Sequence, residues 1–242
     1  MNTEVRSHYH EELDEVRTGI ARMSAGVTEL IPRATQVLLE ADLEGADLVI
    51  EGDSLFDERS IVLEELCFSI IALQAPVASD LRLLVSSVKI IADVERSADL
   101  CVNICKATRR IYSHELDANL RGMIQKLGVQ ASRLFKEATE AYLHNDGSRA
   151  AAIQDMDGYL DDLHRQFIQV IFESHSAGTI DLQVAVQLAL VARFYERIGD
   201  HAVNVGERTR YIVSGWVPDQ PYAESGTNFD EVDPGGPTGD GG

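Results

Sequence analysis

The chain has little of what builds a sheet or a covalent scaffold. Of its 242 residues six are proline, three are cysteine and one is tryptophan, and aromatic residues make up 6%. Four of the prolines (Pro218, Pro221, Pro234, Pro237) and seven of the eighteen glycines fall within residues 214–242, so the preceding body holds only Pro32 and Pro76. Strands need frequent turns, and a body this poor in turn residues argues for long helices followed by a tail. Three cysteines (Cys67, Cys101, Cys105) form no disulfide framework and fit a reducing compartment. Cys101 and Cys105, one helical turn apart, read as small buried hydrophobes rather than as a soft-metal pair.

Basic charge is also scarce. Twenty-one Lys and Arg stand against forty Asp and Glu, a net charge of −19, which excludes nucleic acid as a partner because a phosphate backbone selects clustered cations. Six acids and no base lie in residues 214–242, a composition expected of a disordered, solvating extension. No apolar run is long enough to span a bilayer. The longest uncharged stretch, Leu66 to Ser79, is short and contains Pro76. The start, MNTEVRSHYHEELDE, is charged where an export signal would be apolar, so the expected location is the cytoplasm.

What the chain does have is 45% hydrophobic residues, enough burial to offset the entropy of ordering, and an internal repeat. Asp42, Asp53 and Asp57 recur as Asp146, Asp157 and Asp161 at an offset of 104, and Asp80, Glu95, Asp99 and Asn103 recur as Asp181, Glu196, Asp200 and Asn204 at an offset of 101. The change of offset falls around Gln74-Ala75-Pro76 and Ser176-Ala177-Gly178, where a connection can change length without disturbing helices. Each unit reads as three helices: Thr3–Asp42, Ala46–Leu73 and Ser79–Ser113, then Glu115–His144, Ser148–His175 and Ile180–Val213. Pro32 should kink the first of these, and Ser79-Asp80 should cap the third. The predicted fold is all-α: two tandem antiparallel three-helix bundles related by internal pseudo-two-fold symmetry, spanning residues 1–113 and 114–213, with the tail over 214–242.

Glu95 and Asp99 continue a stripe through Leu81, Leu84, Val88 and Ile91, at about 100° per residue, that should face another helix. Glu196 and Asp200 do so after Leu182, Val186 and Ala189, with Arg193 placed as a counter-charge. Asp53 and Asp57 share a stripe with Ile50, Ile61 and Phe68, and Asp157 and Asp161 share one with Ile168 and Phe172. Acids at i, i+4 present oxygens side by side, and two such pairs meeting across helices repel unless protons or a cation intervene. Oxygen-only sets suit hard cations such as Mg²⁺, Mn²⁺ or iron. A single acidic pair is more commonly what a solvated helix face carries; its recurrence in both helices of both units, on the apolar side each time, is what brings metal into consideration. His164 and Glu64 are possible additional ligands, and Asn103 and Asn204 are better as structural hydrogen-bonders. A ferritin-like di-iron site would need Glu-x-x-His, which the chain lacks, and no phosphate loop or nucleophile motif is present.

The blocks QAPVASDLRLLVSSVKIIADVERSADLCVNI and VAVQLALVARFYERIGDHAVNV resemble the signature segments of the PhoU family over about residues 3–213. The resemblance implies two three-helix bundles and multinuclear metal clusters held by Asp53, Asp57, Glu95 and Asp99 in the first unit and by Asp157, Asp161, Glu196 and Asp200 in the second. Ser97-Ala98 departs from the usual Ile-Gly, kept here as Ile198-Gly199. It further implies a cytoplasmic regulator that often forms homodimers and meets the membrane only through its partners. Those partners would be the ATPase subunit of the phosphate ABC transporter, which it restrains, and a phosphate-sensing histidine kinase, which it helps to keep starvation genes off. The contrasting expectation is a metal-dependent hydrolase or oxidase using the same carboxylates.

Overall fold

The computed structural model describes the backbone of residues 2–215 and side chains from residue 8 onward; the expectation of a disordered tail over 214–242 lies almost wholly outside the described residues. Among the described residues the structure is entirely helical: α1 (Asn2–Glu40), α2 (Leu43–Glu51), α3 (Ser54–Gln74), α4 (Ala78–Ile111), α5 (Ala118–His144), α6 (Gly147–Ser176) and α7 (Leu182–Ser214).

The first unit packs α1, the α2–α3 pair and α4 together, and the second packs α5, α6 and α7. The bundles join along two seams, α1 against α5 and α4 against α7. Both seams are antiparallel. Arg121 on α5 donates to the Leu39 carbonyl and Ser132 to that of Thr28, while Arg110 on α4 reaches Gln187 and Asp93 reaches His201. The two-bundle architecture therefore matches the duplication read from the repeat.

Aspartate side chains cap four of the seven helices among the described residues. Asp42, Asp117, Asp146 and Asp181 each accept backbone N–H bonds from the first turn at 2.8–3.0 Å, satisfying donors that a helix end leaves open. Asp80 departs from this pattern. Helix α4 begins at Ala78 after Val77, without a side-chain cap, and Asp80 instead accepts the Tyr9 hydroxyl at 2.9 Å.

One proline and one glycine-containing turn shape the helices further. Helix α1 runs on through Pro32, which sits on its exposed face. The Thr28 carbonyl, deprived of its usual donor by the proline ring, accepts the Ser132 hydroxyl from α5 at 3.4 Å. The second predicted helix is divided: α2 ends at Glu51, and Gly52-Asp53 turn the chain into α3. Its counterpart α6 is continuous through Asp157.

The core runs the length of both seams, with Ile20, Met23, Ile31, Leu84, Ile90, Ile91, Ile104, Phe135, Phe167 and Tyr195 fully enclosed. At the α1–α5 crossing a Cβ on Gly128 would lie 2.3 Å from Thr35 Oγ1, so only glycine permits that approach. Thr35 Oγ1 in turn shares a 2.7 Å hydrogen bond with Tyr195 on α7, tying a buried phenol to a partner as burial requires.

Two carboxylate clusters as candidate metal centres

Helices α3 and α4 carry the first cluster. Asp53, Asp57 and Asp99 bring one carboxylate oxygen each to within 4.8 Å of one another. Glu95 lies one turn before Asp99, where the charges of Asp99, Asp57 and Asp53 all act on it. Loss of hydration, then Asp99 and Asp57, raise the Asp53 pKa above its ordinary value, against a smaller opposing pull from Lys106. Direct interaction with the Asp99 side chain adds a smaller part of the rise. Loss of hydration, then Asp99 and Asp57, likewise raises Glu95, with Arg96 in opposition.

Helices α6 and α7 carry the second cluster. Burial, then Asp161, Asp200 and Glu196, push Asp157 up to about 6. Asp200 is raised by loss of hydration and by Glu196, against Arg193 and His201. Arg193 donates to Glu196, so the anticipated counter-charge is present. Its repeat-related position in the first unit is Ala92, which leaves that cluster without an arginine of its own at this point.

All eight predicted acids thus fall into two groups of four, one per bundle, as their spacing implied. The environment differs from the predicted one. Asp57 and Asp200 are exposed and the other six half-buried, because the stripes run along the shoulders of the helix pairs rather than into the core. Leu84 and Ile91 are enclosed, but Ile61, Phe68, Phe172, Leu182 and Val186 remain exposed, Leu182 by 66%. His164 and Glu64 are half-buried, and neither belongs to the one trio of close donors found among the described residues, Asp53, Asp57 and Asp99.

One observation bears on whether the residues suit a cation. Asp53 Oδ1 and Asp157 Oδ1 are buried and without a hydrogen-bond partner, and they occupy the same position in the two repeats. Two matched, orphaned oxygens, each on a carboxylate with other acids close by, offer the acceptor capacity that a hard cation takes. The fit is more open in the first unit, since Glu196 in the second is engaged by Arg193. A second detail is specific to the second unit: a Cβ on Gly199 would lie 2.5 Å from Asp157 Oδ1 and 2.6 Å from Leu160 Cδ2. Gly199 therefore makes room for the carboxylate, while the first unit has Ala98 at the matching place beside its broken helix.

Sequence reasoning missed the polar group buried between the bundles. Asp93 on α4 accepts from His201 Nδ1 at 2.9 Å and from Asn204 Nδ2 at 3.2 Å on α7, and Asp93 and His201 are 7% and 5% exposed. Asn204 is a structural hydrogen-bonder here, as one reading of it held. The available signal was Asp93 itself, a charge inside the run Ile90-Ile91-Ala92-Asp93-Val94 whose repeat mate is Phe194.

Duplicated three-helix bundles, each with an Asp/Glu cluster on its outer shoulder and no helix among the described residues long and apolar enough to cross a membrane, define a class of acidic all-α protein with two matched, oxygen-rich sites. The model of the PhoU domain matches twice, over residues 20–108 and 124–209. The chain is 36% identical over 215 residues to the phosphate-specific transport system accessory protein PhoU homolog 2 of Mycobacterium bovis, covering 88% of this chain and 100% of that one. It is 27% identical over 215 residues to the phosphate-specific transport system accessory protein PhoU of Serratia marcescens, covering 89% and 88%. The crystal structure of PhoU from Pseudomonas aeruginosa superposes with a TM-score of 0.81 at 25% identity, covering 86% of this chain and 100% of that one. That of the phosphate transport system regulatory protein PhoU from Streptococcus pneumoniae gives 0.80 at 23% identity, covering 88% and 100%, and supports the fold. The chain belongs to the PhoU family.

Proposed function

We propose that the protein is a non-catalytic regulator of phosphate homeostasis, working in the cytoplasm on the phosphate ABC transporter through its ATPase subunit and on a phosphate-sensing histidine kinase. Family membership supports the phosphate role: a curated relative that this chain matches over its full length is named as an accessory protein of the phosphate-specific transport system. The observation that carries the site is the matched pair of orphaned oxygens, Asp53 Oδ1 and Asp157 Oδ1, each within a four-carboxylate group. Asp53, Asp57, Glu95 and Asp99 would hold one set of hard cations, Mg²⁺, Mn²⁺ or iron, and Asp157, Asp161, Glu196 and Asp200 the other. Bound cations would supply charge neutralisation and open coordination positions for phosphate or carboxylate oxygens. The chain's own residues do the rest. The carboxylates hold the α3–α4 and α6–α7 shoulders apart when bare and draw them together when neutralised, and Arg193 sets how much of the second cluster is free.

The test is affinity capture from phosphate-replete cells with the wild type and with Asp99→Ala/Asp200→Ala, alongside elemental analysis of the purified proteins. Transporter ATPase and kinase should co-purify with the wild type, and the double variant should lose metal. Recovery of neither partner with the wild type removes the regulatory reading. Phosphatase or oxidase turnover that disappears in the Asp200→Ala variant would replace it with an enzyme.

A further inference from the structure

The described structure of this acidic protein has a basic face, and the chain leaves the fold beside it. Along α4, Arg82, Lys89, Asp93 and Arg96 lie within about 60° of one another at the helical advance. Along α7, Arg197, His201, Asn204 and Arg208 do the same. Asp93 bonds His201 and Asn204 across the α4–α7 seam, and the antiparallel register set by those bonds and by Arg110 to Gln187 brings Lys89 opposite Arg208. A Cβ on Gly215 would lie 3.9 Å from Arg82 Cζ. Five cations therefore flank one seam, and Asp93, the carboxylate buried within it, is already taken by His201 and Asn204. None of the salt bridges among the described residues uses any of the five. The Nε atoms of Arg82 and Arg208 are buried without a hydrogen-bond partner, so neither guanidinium is fully satisfied within the fold.

The repeat shows that this charge is not inherited from the duplicated framework. Arg96 and Arg197 are mates at the offset of 101, but Arg82, Lys89 and Arg208 correspond to Gln183, Leu190 and Ala107. The additional cations all lie on the half of the seam that ends at Gly215. Gly215 has φ +72, a left-handed turn that ends α7 beside Arg82.

The geometry points to residues 216–242 of this same chain as the occupant of the basic seam. The segment has the complementary charge, with Asp219, Glu224, Asp230, Glu231, Asp233 and Asp240 and no base. Its reach also matches. Asp219 is four residues past Gly215, about 13 Å of extended chain, and Lys89 and Arg208 lie about 10 Å along α7 from Gly215 at 1.5 Å per residue. Glu224, about 30 Å out, spans the roughly 21 Å to the level of Arg96 and His201. A tethered acidic strand has a high effective concentration at such a surface. It neutralises the Arg82 and Arg208 guanidinium groups where the two bundles meet.

Trp216 is the chain's one tryptophan and reports on this directly in the full-length protein. Acrylamide quenching of its fluorescence is measured at about 50 mM and about 1 M salt, where the Debye length falls from over 10 Å to about 3 Å. The comparison set is the wild type, Lys89→Glu, a tail variant (Asp219→Asn, Glu224→Gln, Asp230→Asn, Glu231→Gln, Asp233→Asn) and a control, Lys126→Glu, on exposed α5. Lys89 is exposed and the tail variant leaves the fold untouched, so neither depends on a core change being tolerated. The quenching constant of the wild type should be low at low salt. It should rise about twofold or more with Lys89→Glu, with the tail variant or at high salt, and stay unchanged with Lys126→Glu. Adding Asp219→Lys to Lys89→Glu should restore protection. Equal quenching in the wild type and the tail variant at low salt overturns the proposal, as does an equal response to Lys126→Glu. Protection that disappears on dilution assigns the seam to the tail of a second copy and overturns the intramolecular placement.

Discussion

Asp157 offers the sharpest test of the carboxylate clusters, because neutralising it should stabilise the metal-free protein. Its pKa stands at about 6 against an ordinary 3.8, raised first by burial and then by Asp161, Asp200 and Glu196. A carboxyl with a raised pKa binds its proton more tightly in the folded than in the unfolded state. Stability is therefore lost as pH climbs from about 4 to about 6 and stays lost above that. The shift of about 2 units corresponds to about 3 kcal/mol at most, and solvent screening of a half-exposed group reduces it to about 1–2 kcal/mol. Asp157→Asn removes the charge at nearly constant shape, and its amide can donate to the surrounding carboxylates. In chelator-treated protein at about pH 7.5 the variant should melt about 2–8 °C higher than the wild type by far-UV circular dichroism. The advantage should shrink towards zero near pH 4, where Asp157 is protonated in the folded wild type as well. Saturating Mn²⁺ should reverse the order, since a ligand bound by the folded state alone raises the melting temperature and the wild type has the fuller donor set. A metal-free variant that melts at or below the wild type at pH 7.5, or an advantage undiminished at pH 4, would refute the electrostatic account.

Gly199→Ala places a methyl 2.5 Å from Asp157 Oδ1 and should cost about 1–3 kcal/mol, read as a lower denaturation midpoint; an unchanged midpoint would show that the carboxylate can move aside freely. His201→Leu leaves Asp93 buried with Asn204 alone and should cost about 2–4 kcal/mol in urea unfolding, most of it recovered by the added change Asp93→Leu. Burial pushes the Cys67 and Cys105 thiols up to about 12 and raises Cys101 as well. A thiol reagent at pH 8 should therefore titrate none of the three in the native protein and all three after unfolding. Ala75 occupies the left-handed region at φ 46, so Ala75→Gly should gain about 1 kcal/mol in the same urea assay, and a loss would mean that chain entropy outweighs the relief.

The helices were legible because their signals are local. The scarcity of proline leaves long uninterrupted segments, and breaks such as Asn145-Asp146-Gly147 mark where they end; the caps at Asp42, Asp117 and Asp181 emerged only with the structure. The break at Gly52-Asp53 was not legible, because Ala46 to Leu73 keeps an apolar pattern across it and the repeat mate runs straight through Asp157. Asp80 was misplaced for a related reason: as a cap it looks like Asp181, but Tyr9, seventy-one residues away, supplies its partner.

For the clusters, spacing alone paired the acids, since residues at i, i+4 share a helix face whatever surrounds them. How deeply that face is buried depends on the crossing of neighbouring helices, and the stripes proved to lie on exposed shoulders. Sequence by itself determined the duplication, the two carboxylate pairs per unit and the family, all of them carried by residue types at fixed separations along one chain. Tertiary structure alone decided which oxygens are orphaned, that Gly199 makes room for Asp157, and that Asp93 finds His201 more than a hundred residues away. It also decided that Arg82, Lys89 and Arg208 gather where α7 ends. Those facts depend on which helices lie side by side and in what register, and no local pattern along the chain encodes either.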